Sequence, residues 1–167
     1  QSQAGPVEYS DWLRLRNQIE DAGLQWLVCE SIHIPTRVKL GFPGRDEDIE
    51  RFCASLRNMG HAGIPILCYN WMIYYWFRTS FTTRVRGDAL SMRYVHEDME
   101  RGGLTELGVV SDGQLWESLE YFLKAVVPVA EEANVRLAMH PDDPPISPIR
   151  GVGRIMVSVE DFQRLID

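Results

Sequence analysis

A histidine and two aspartates that could bind a metal or move a proton follow a short apolar run near the end of the chain. The run Val135–Met139 is typical of a buried strand, and it stops at His140, Asp142 and Asp143, which are interspersed with three prolines. Proline lacks the N–H that a central strand needs, so a rigid polar loop begins where the strand ends. In parallel α/β proteins, ligands bind at that end of the strands.

The imidazole of His140 could hold a divalent metal, act as a base, or hydrogen-bond to the loop backbone. Asp142 and Asp143 could orient His140, contact a substrate, cap a helix or face water. The strand-end position favours a functional role for His140. For the two aspartates we expect one functional and one structural role, and the sequence leaves open which is which.

Two other apolar runs also end in polar side chains. Glu30 closes the first run, where an unpaired carboxylate would be costly to bury, so it needs a cation, a metal, water or a neighbouring arginine. Tyr69 and Asn70 close the second run. The amide of Asn70 both donates and accepts hydrogen bonds and therefore suits a sugar hydroxyl, although asparagine also forms turns.

A repeated junction between helix and strand positions these residues. A small residue and a helix-stopping glycine or asparagine precede each apolar run, at Ala22-Gly23-Leu24, Ala62-Gly63-Ile64 and Ala133-Asn134-Val135. Short apolar runs that alternate with amphipathic helices indicate a parallel sheet. Because the carboxyl ends of parallel strands meet at one edge, we expect the polar side chains after the three runs to lie together.

The remaining elements are predicted from periodicity and capping residues. Ser111 with Gln114 resembles a capping box, and Pro128 inside the helix that follows predicts a kink or a local break. The predicted elements are a loop over residues 1–9, a helix over 10–22, a strand over 24–32, a loop over 35–45, a helix over 46–62, a strand over 64–69, a helix from 111 to beyond 130, a strand over 135–139 and a last helix capped by Ser158.

Residues 71–113 are too many for an ordinary connection between a strand and a helix. Their place after a strand end predicts a lid over the site. Arg78, Arg84, Arg86 and Arg93 lie in this segment, and one or two of them could clamp a carboxylate while the others face water. Arg78 is the strongest candidate, because the aromatic run 74–77 before it could hold it in place.

Composition narrows the class of protein. The chain has 167 residues, of which 45% are hydrophobic, and a net charge of −7, which argues against nucleic acid or an anionic membrane as the main partner. Its apolar runs are too short to span a membrane. The three cysteines are widely spaced, which favours reduced thiols in the cytoplasm. His33, His61 and His96 have no supporting residues nearby in the sequence, and we expect His61 to face water at a helix end.

The predicted fold class is α/β, with about three parallel strands and intervening helices in a single domain over residues 1–167. Three such strands do not close a barrel, since eight strand–helix units need about 250 residues. The chain is therefore either part of a (β/α)8 TIM barrel or a small open α/β protein. Both of its ends look cut, which favours a portion of a longer protein.

Several segments resemble the mannonate dehydratase family, which is related to xylose isomerase. The specific match is the run His140-Pro141-Asp142-Asp143-Pro144-Pro145 followed by 150–155, and the segments 68–72, 76–79 and 121–133 also match. The resemblance covers most of the chain from Asp11 onward. The resemblance implies that the chain is an N-terminal portion of a TIM barrel, because family members are about twice this length.

The resemblance also implies an activity. Family members are hydro-lyases that dehydrate D-mannonate to 2-keto-3-deoxy-D-gluconate in glucuronate breakdown, with Mn²⁺ or Fe²⁺. It makes His140 a metal ligand, with a cysteine, a second histidine and an aspartate expected on later strands. Together with the residue chemistry, it points to Tyr69, Asn70, Arg78 and Asp142 as substrate-binding residues, and it leaves the general acid and base unassigned.

Two departures weaken the substrate assignment. The family commonly has a Val-Pro-Val-His-Glu pattern where this chain has Ile32-His33-Ile34-Pro35-Thr36, so that histidine and proline have exchanged places. Tyr75 stands where an aspartate often precedes the tryptophan of the lid. A sugar isomerase or epimerase on the same barrel therefore stays open as an alternative, and for such an enzyme the lid arginines would be superfluous.

A third alternative is a non-catalytic fragment or binding module. We identify one metal ligand in the chain, whereas a useful site needs at least three. We therefore expect the isolated chain to bind metal weakly and to be inactive. As partners we expect a small sugar acid and no nucleic acid or membrane, and we allow for a homo-oligomer.

Overall fold

The structure, a computed structural model, describes residues 5–74 and 77–167. The first four residues of the predicted loop over 1–9 lie outside these ranges. Tyr75 and Trp76, which belong to the aromatic run before Arg78, also lie outside them. The departure from the family pattern at Tyr75 therefore falls outside the described residues.

Helices and short strands alternate along the chain. They follow in the order α1 (Tyr9–Asp21), β1 (Val28–Glu30), α2 (Thr36–Lys39), α3 (Arg45–His61), β2 (Ile66–Tyr69), β3 (Ser80–Val85), a 3-10 turn (Arg86–Asp88), β4 (Ala89–Arg93), α4 (His96–Glu100), α5 (Asp112–Glu132), β5 (Arg136–Met139) and α6 (Val159–Ile166).

The chain divides into two compact units. Unit 1 comprises Gln1–Asn70 and Glu117–His140, and unit 2 comprises Trp71–Trp116 and Pro141–Asp167. The predicted lid falls within unit 2. Its function as a lid, and the predicted single-domain organisation, stay predictions.

Unit 1 contains a parallel sheet in the order β1-β2-β5. Cys29 of β1 is in register with Leu67 of β2, which is in register with Leu137 of β5. This confirms the predicted parallel α/β arrangement. The first strand is much shorter than the predicted run over 24–32, and Leu24 and Leu27 before it are exposed.

Left-handed residues end the helix before each of these strands. Gly23, Gly63 and Asn134 have φ angles of 78°, 75° and 55°. Glycine adopts this conformation without a steric cost, and asparagine tolerates it better than most residues. The three predicted helix stops are therefore confirmed, and each one turns the chain from a helix towards a strand.

Helix α5 supplies much of the core of unit 1. Its residues Leu119, Phe122 and Val126 are almost completely buried. The Phe122 ring lies 5.0 Å from that of Phe52 in α3 and 6.3 Å from that of Tyr69 in β2. Aromatic pairs at this spacing add to the stability gained by burial.

The local break predicted at Pro128 is absent, because α5 runs without interruption from Asp112 to Glu132. Proline removes one helical hydrogen bond. Buried side chains on both sides of it, Val126 and Ala130, hold the helix against the core. Packing therefore outweighs the loss of that bond.

The loop predicted over 35–45 contains a short helix instead, α2. Val38 and Lys39 of this helix are buried. A single helical turn has no periodic pattern by which the sequence could mark it. It is stabilised by tertiary packing rather than by local preference.

Unit 2 contains the antiparallel hairpin β3–β4, with a register shift between Ser80 and Thr83. Both strands of the hairpin are largely exposed. A strand without a buried face shows no apolar alternation, which is why the hairpin was not predicted from the sequence. The predicted cap at Ser158 is confirmed, since it forms a reciprocal capping box with Asp161.

Within the two described ranges, no helix is both long enough and apolar enough to cross a membrane.

The contact between α3 and the end of α5 provides a test of the packing. A Cβ at Gly60 would lie 2.3 Å from the carbonyl oxygen of Ala133 and 2.9 Å from its Cβ. We expect Gly60→Ala to lower the free energy of unfolding by about 1–3 kcal/mol, because the backbones must separate. Urea unfolding of the chain measures this change.

Gly113→Ala is the matched control. This glycine also lies in a helix, and the nearest atom to an added Cβ is 3.9 Å away. We expect it to leave the free energy of unfolding unchanged or to raise it by up to about 1 kcal/mol. Equal losses from the two substitutions would contradict a close contact at Gly60.

Candidate functional site

The carboxyl ends of the three parallel strands form a candidate site in unit 1. The backbone N–H of His140 donates to the carbonyl oxygen of Tyr69 at 2.7 Å, so that strand pairing continues one residue beyond β5. Glu30 ends β1 and Asn70 follows β2. The predicted convergence at one edge of the sheet is therefore present for Glu30, Asn70 and His140.

Strand alternation divides these residues between the two faces of the sheet. Glu30 is in register with Cys68, and Cys68 with Ala138. Side chains two residues apart on a strand share a face, so His140 lies on the same face as these three residues. Tyr69 lies on the opposite face, which packs against the helices.

An imidazole and a carboxylate meet at this edge. His140 Nε2 lies 3.8 Å from Glu30 Oε1, although the two residues come from strands separated by β2. The His140 side chain is 35% exposed and that of Glu30 is 64% exposed. Both groups are therefore accessible to a ligand. We name this pair, together with Asn70, the strand-end cluster.

The donors of the strand-end cluster fit a divalent metal. Two ligand atoms that share one ion at about 2.1 Å lie no more than about 4.2 Å apart, and the distance between His140 and Glu30 is within that limit. Among the described residues, no group of three or more histidine, cysteine, aspartate or glutamate side chains could hold a metal ion. The cluster therefore offers part of a ligand set.

Tyr69 is buried in the core of unit 1. Only 3% of its surface is exposed, and burial raises the pKa of its phenol to about 12. Its ring packs near Phe122, on the helix side of the sheet. The predicted substrate contact of Tyr69 stays a prediction, and its packing supports a structural role.

Asn70 is held by a residue that the sequence analysis missed. Its Oδ1 lies 3.5 Å from Nζ of Lys39, a residue that is only 1% exposed. The ammonium group can only donate, so the amide oxygen of Asn70 is turned towards it. Lys39 stands between apolar residues in a segment predicted as loop, so no pattern pointed to it. The binding of substrate by Asn70 stays a prediction.

An ion-pair network anchors α2, the helix that carries Lys39. The buried carboxylate of Asp48 in α3 accepts hydrogen bonds from Arg37 Nη2 at 2.6 Å and from Arg51 Nη1 at 2.8 Å. The hydrogen bond from Arg37 lowers the pKa of Asp48 below its usual value. This network links α2 to the long helix α3 and so fixes the position of Lys39.

All three cysteines are free thiols, as predicted. Burial raises the pKa of Cys29 to about 11, and nearby Cys68 and Glu30 add to the shift. Burial and the charge of Glu30 also raise the pKa of Cys68. These thiols are therefore protonated at neutral pH and are poor nucleophiles.

In unit 2, Asp142 links the proline-rich loop to a later segment. Its carboxylate accepts a hydrogen bond from the N–H of Met156 at 2.9 Å, and its own N–H donates to the Met156 carbonyl oxygen at 2.9 Å. Asp142 is buried. This arrangement supports a structural role, and the substrate contact predicted for Asp142 stays a prediction.

Arg154 is a second residue that the sequence analysis did not single out. It is buried, and burial lowers its pKa. Its Nη2 lies 3.9 Å from Asp142 Oδ1, and in the described part of the chain its Nε and Nη2 have no hydrogen-bond partner. Its flanking residues Gly153 and Ile155 carried no sign that a charge here would be buried.

Arg78, the predicted carboxylate clamp, has an acidic partner. Its Nη2 donates to Asp143 Oδ2 at 2.5 Å, and its Nη1 donates to the carbonyl oxygen of Phe77. The Arg78 side chain is largely buried, whereas Asp143 is exposed. Of the aromatic run before it, Tyr74 and Phe77 pack together at 5.3 Å. Binding of a substrate carboxylate by Arg78 therefore stays a prediction. It would require Arg78 to release Asp143 or to bind both carboxylates at once.

The other candidate side chains have their own local surroundings. Arg84 pairs with Asp88 on the exposed hairpin. His61 is exposed at the end of α3, as predicted. His96 shares a hydrogen bond of 2.9 Å with Tyr94, and burial and Lys39 lower the pKa of His33.

Comparison with known proteins identifies the family. The sequence profile described as D-mannonate dehydratase (UxuA) matches residues 4–108 and 104–167, which is nearly the whole chain. The chain belongs to the D-mannonate dehydratase (UxuA) family. The resemblance carried by the histidine–proline–aspartate motif is therefore confirmed.

Named relatives agree with this assignment. A mannonate dehydratase from Streptococcus pneumoniae (strain 70585) is 36% identical over 99% of the chain, and one from Thermotoga maritima is 33% identical over 95%. The crystal structure of mannonate dehydratase from Streptococcus suis serotype2 matches 97% of the chain with a TM-score of 0.84 and 35% identity. The α/β fold with three parallel strands is thus a partial TIM-barrel-like fold.

The chain spans about half the length of the curated relatives it matches, 51% for the S. pneumoniae protein and 52% for the T. maritima protein. It covers 48% of the S. suis structure. It therefore corresponds to an N-terminal portion of a UxuA-family protein, as the resemblance implied.

The ion-pair network on α2 predicts an acid-dependent stability. Because the pKa of Asp48 is lowered by folding, its contribution is complete above the unfolded value of about 3.9 and is lost as the pH falls through the lower folded value. We expect the wild-type chain to lose stability more steeply than Asp48→Asn below about pH 4. Urea unfolding at a series of pH values measures this.

Asp46→Asn is the control, since Asp46 is an exposed residue two positions earlier in the same helix. We expect its acid dependence to match that of the wild type. If Asp48→Asn also followed the wild-type curve, the network would not contribute to acid stability.

Proposed function

We propose that this chain supplies part of the active site of a metal-dependent hydro-lyase that converts D-mannonate to 2-keto-3-deoxy-D-gluconate. The observation that carries the proposal is the strand-end cluster, in which His140 and Glu30 meet at 3.8 Å across the edge of the sheet. Membership of the UxuA family supports the substrate and the reaction. The expected setting is glucuronate breakdown in the cytoplasm.

The donor set supports metal binding at His140. Enzymes of this family are generally metal-dependent. An imidazole suits Fe²⁺ and a carboxylate suits Mn²⁺, and Glu30 offers a carboxylate on the same face of the sheet as His140. A bound divalent ion would stabilise negative charge that develops on the substrate's carboxylate and hydroxyl oxygens.

Dehydration breaks two bonds on neighbouring carbons. The C–H bond beside the carboxylate gives up its proton to a base, and the hydroxyl on the next carbon leaves with a proton as water. The resulting enol rearranges to the 2-keto acid. The transition state places extra negative charge on the oxygens of the carboxylate, so cationic and hydrogen-bonding groups aimed at that charge accelerate the reaction.

The chain's own residues would bind and orient the sugar acid. The amide of Asn70, held through its oxygen by Lys39, suits a hydroxyl of the substrate. Arg78 is a bidentate donor that suits a carboxylate, and its present partner Asp143 is itself a carboxylate of that kind. A homo-oligomeric assembly stays a prediction.

The decisive experiment uses a protein of the family's full length that contains this chain. We expect it to form a 2-keto-3-deoxy acid from D-mannonate when Mn²⁺ or Fe²⁺ is supplied. An isomerase or epimerase would instead interconvert sugars without loss of water, so the same assay includes neutral aldoses and ketoses. Absence of the 2-keto-3-deoxy acid with either metal would overturn the proposal.

Substitution of His140 tests the metal assignment. Loss of a partner that only orients a metal ligand costs 10- to 100-fold, so we expect His140→Ala, in the full-length protein, to lower activity by at least about 100-fold. Bound metal, measured by elemental analysis, should fall with it. His61→Ala, which removes an exposed histidine at a helix end, should leave both values unchanged. Full metal content in His140→Ala would assign the metal to other residues.

Substitution of Arg78 tests the carboxylate clamp. A hydrogen bond to a charged group is worth about 1.5–3 kcal/mol, so Arg78→Ala should raise KM for D-mannonate by roughly 10- to 100-fold if Arg78 binds the substrate. Asp143→Asn removes the competing carboxylate and should leave KM unchanged or lower it. If both variants instead lower activity equally with no change in KM, the pair only holds the loop in place.

A further inference from the structure

Unit 2 contains a cavity of about 450 Å³ whose charged side chains are almost all arginine. Arg78, Arg93, Arg101 and Arg150 line it, together with the hydroxyl residues Thr79 and Ser80 and a single acid, Asp98. The chain as a whole has a net charge of −7. A concentration of four guanidinium groups in such an acidic protein favours a negatively charged ligand.

Acidic partners account for two of the four arginines. Arg101 pairs with Asp98 at 2.8 Å, and Arg78 pairs with Asp143 at 2.5 Å. Within residues 5–74 and 77–167, neither Arg93 nor Arg150 has a carboxylate within 4.0 Å of its guanidinium group. These two arginines therefore bring positive charge to the cavity without a direct ion pair.

Arg150 is held rigidly in place. Its Nε donates to the carbonyl oxygen of Gly103 at 2.8 Å, and its Nη2 donates to those of Gly102 at 3.1 Å and Leu104 at 3.3 Å. Carbonyl oxygens fix the orientation of a guanidinium group without cancelling its charge. A Cβ at Gly102 would lie 3.1 Å from Arg150 Cζ, so the glycine makes room for this close approach.

The backbone beneath Arg93 is fixed as well. Its carbonyl oxygen accepts hydrogen bonds from the N–H of Thr79 at 2.8 Å and from the Thr79 hydroxyl at 3.1 Å. The Arg93 residue is exposed beside this anchored backbone. An anion would therefore find one rigid cation, Arg150, and one adjustable cation, Arg93, in the same cavity.

We propose that this arginine-lined cavity binds an oxyanion, either a phosphate group or a sugar-acid carboxylate. Guanidinium N–H groups donate to both kinds of oxyanion, and the hydroxyl of Ser80 can add another hydrogen bond. This inference goes beyond the proposed dehydratase function, since three of the four arginines have no part in it. Binding can be measured without turnover, so its failure and that of the dehydratase proposal are distinguishable.

The test titrates the 167-residue chain with inorganic phosphate and, in a second arm, with D-gluconate, at low and high NaCl. Calorimetry gives the affinity, and NMR chemical shifts of Ser80, Gly102 and Arg150 amides locate the site. We expect one of the two anions to bind with a Kd of about 1 mM or below, more weakly at high salt. The anion that binds more tightly shows whether the cavity prefers a phosphate or a sugar-acid carboxylate.

Arg93→Ala and its matched control complete the test. Arg93→Ala should weaken binding by at least about fivefold, because it removes one charge-assisted contact. Arg86→Ala removes the same charge from the turn of the same hairpin, outside the cavity, and should change the affinity less than twofold. If Arg93→Ala unfolds, Arg93→Gln replaces it in the test, since it removes the charge and keeps a polar side chain.

Three results would overturn the proposal: no binding of either anion at about 20 mM, equal losses from Arg86→Ala and Arg93→Ala, or shifts confined to residues outside the cavity.

Discussion

Parallel pairing in register is the constraint on which the strand-end cluster depends. Because the three strands run in the same direction, each one delivers its following polar residue to the same edge. The left-handed residue before each strand gives all three strands the same starting point, since it ends a helix at a defined residue and turns the chain towards the sheet. A shift of one residue in any strand would turn its terminal side chain to the opposite face. Glu30 and His140 meet because neither strand has such a shift.

Buried charge is the second organising feature. Lys39, Asp48 and Arg154 are almost completely buried, and burying an ionised group is expensive unless partners compensate for it. The compensation differs among them. Asp48 has two arginines, Lys39 lies beside an amide oxygen, and Arg154 lies 3.9 Å from a buried carboxylate. Lys39 contacts the residue after a strand end and Arg154 contacts the proline-rich loop, so both charges hold polar groups in place at a cost in stability.

The sequence predicted the features that repeat and missed those that do not. Helix stops, the long helices and the parallel sheet follow from periodicity and from residues with special backbone preferences, so most of them were predicted to within a few residues. The edge of the sheet, with Glu30, Asn70 and His140, followed from the same logic. Lys39 was missed because a buried lysine leaves no periodic trace, and the helix that carries it is one turn long.

The hairpin and the side of the sheet on which Tyr69 lies were also missed, for two different reasons. An exposed two-stranded hairpin has no apolar face that a sequence pattern could mark. Tyr69 was expected to lie at the edge with Glu30, Asn70 and His140 from its place at a strand end, without counting the alternation that turns its side chain towards α5. The partners of Arg78 and Asp142 depend on long-range packing, which no local pattern encodes.

The chain passes between its two compact units three times, after Asn70, after Trp116 and after His140. Neither unit is a continuous stretch of sequence. A single recombination breakpoint in the gene therefore cannot exchange one unit and leave the other intact, and no single proteolytic cut releases either of them. An exchange of either unit needs breakpoints at more than one of these crossings.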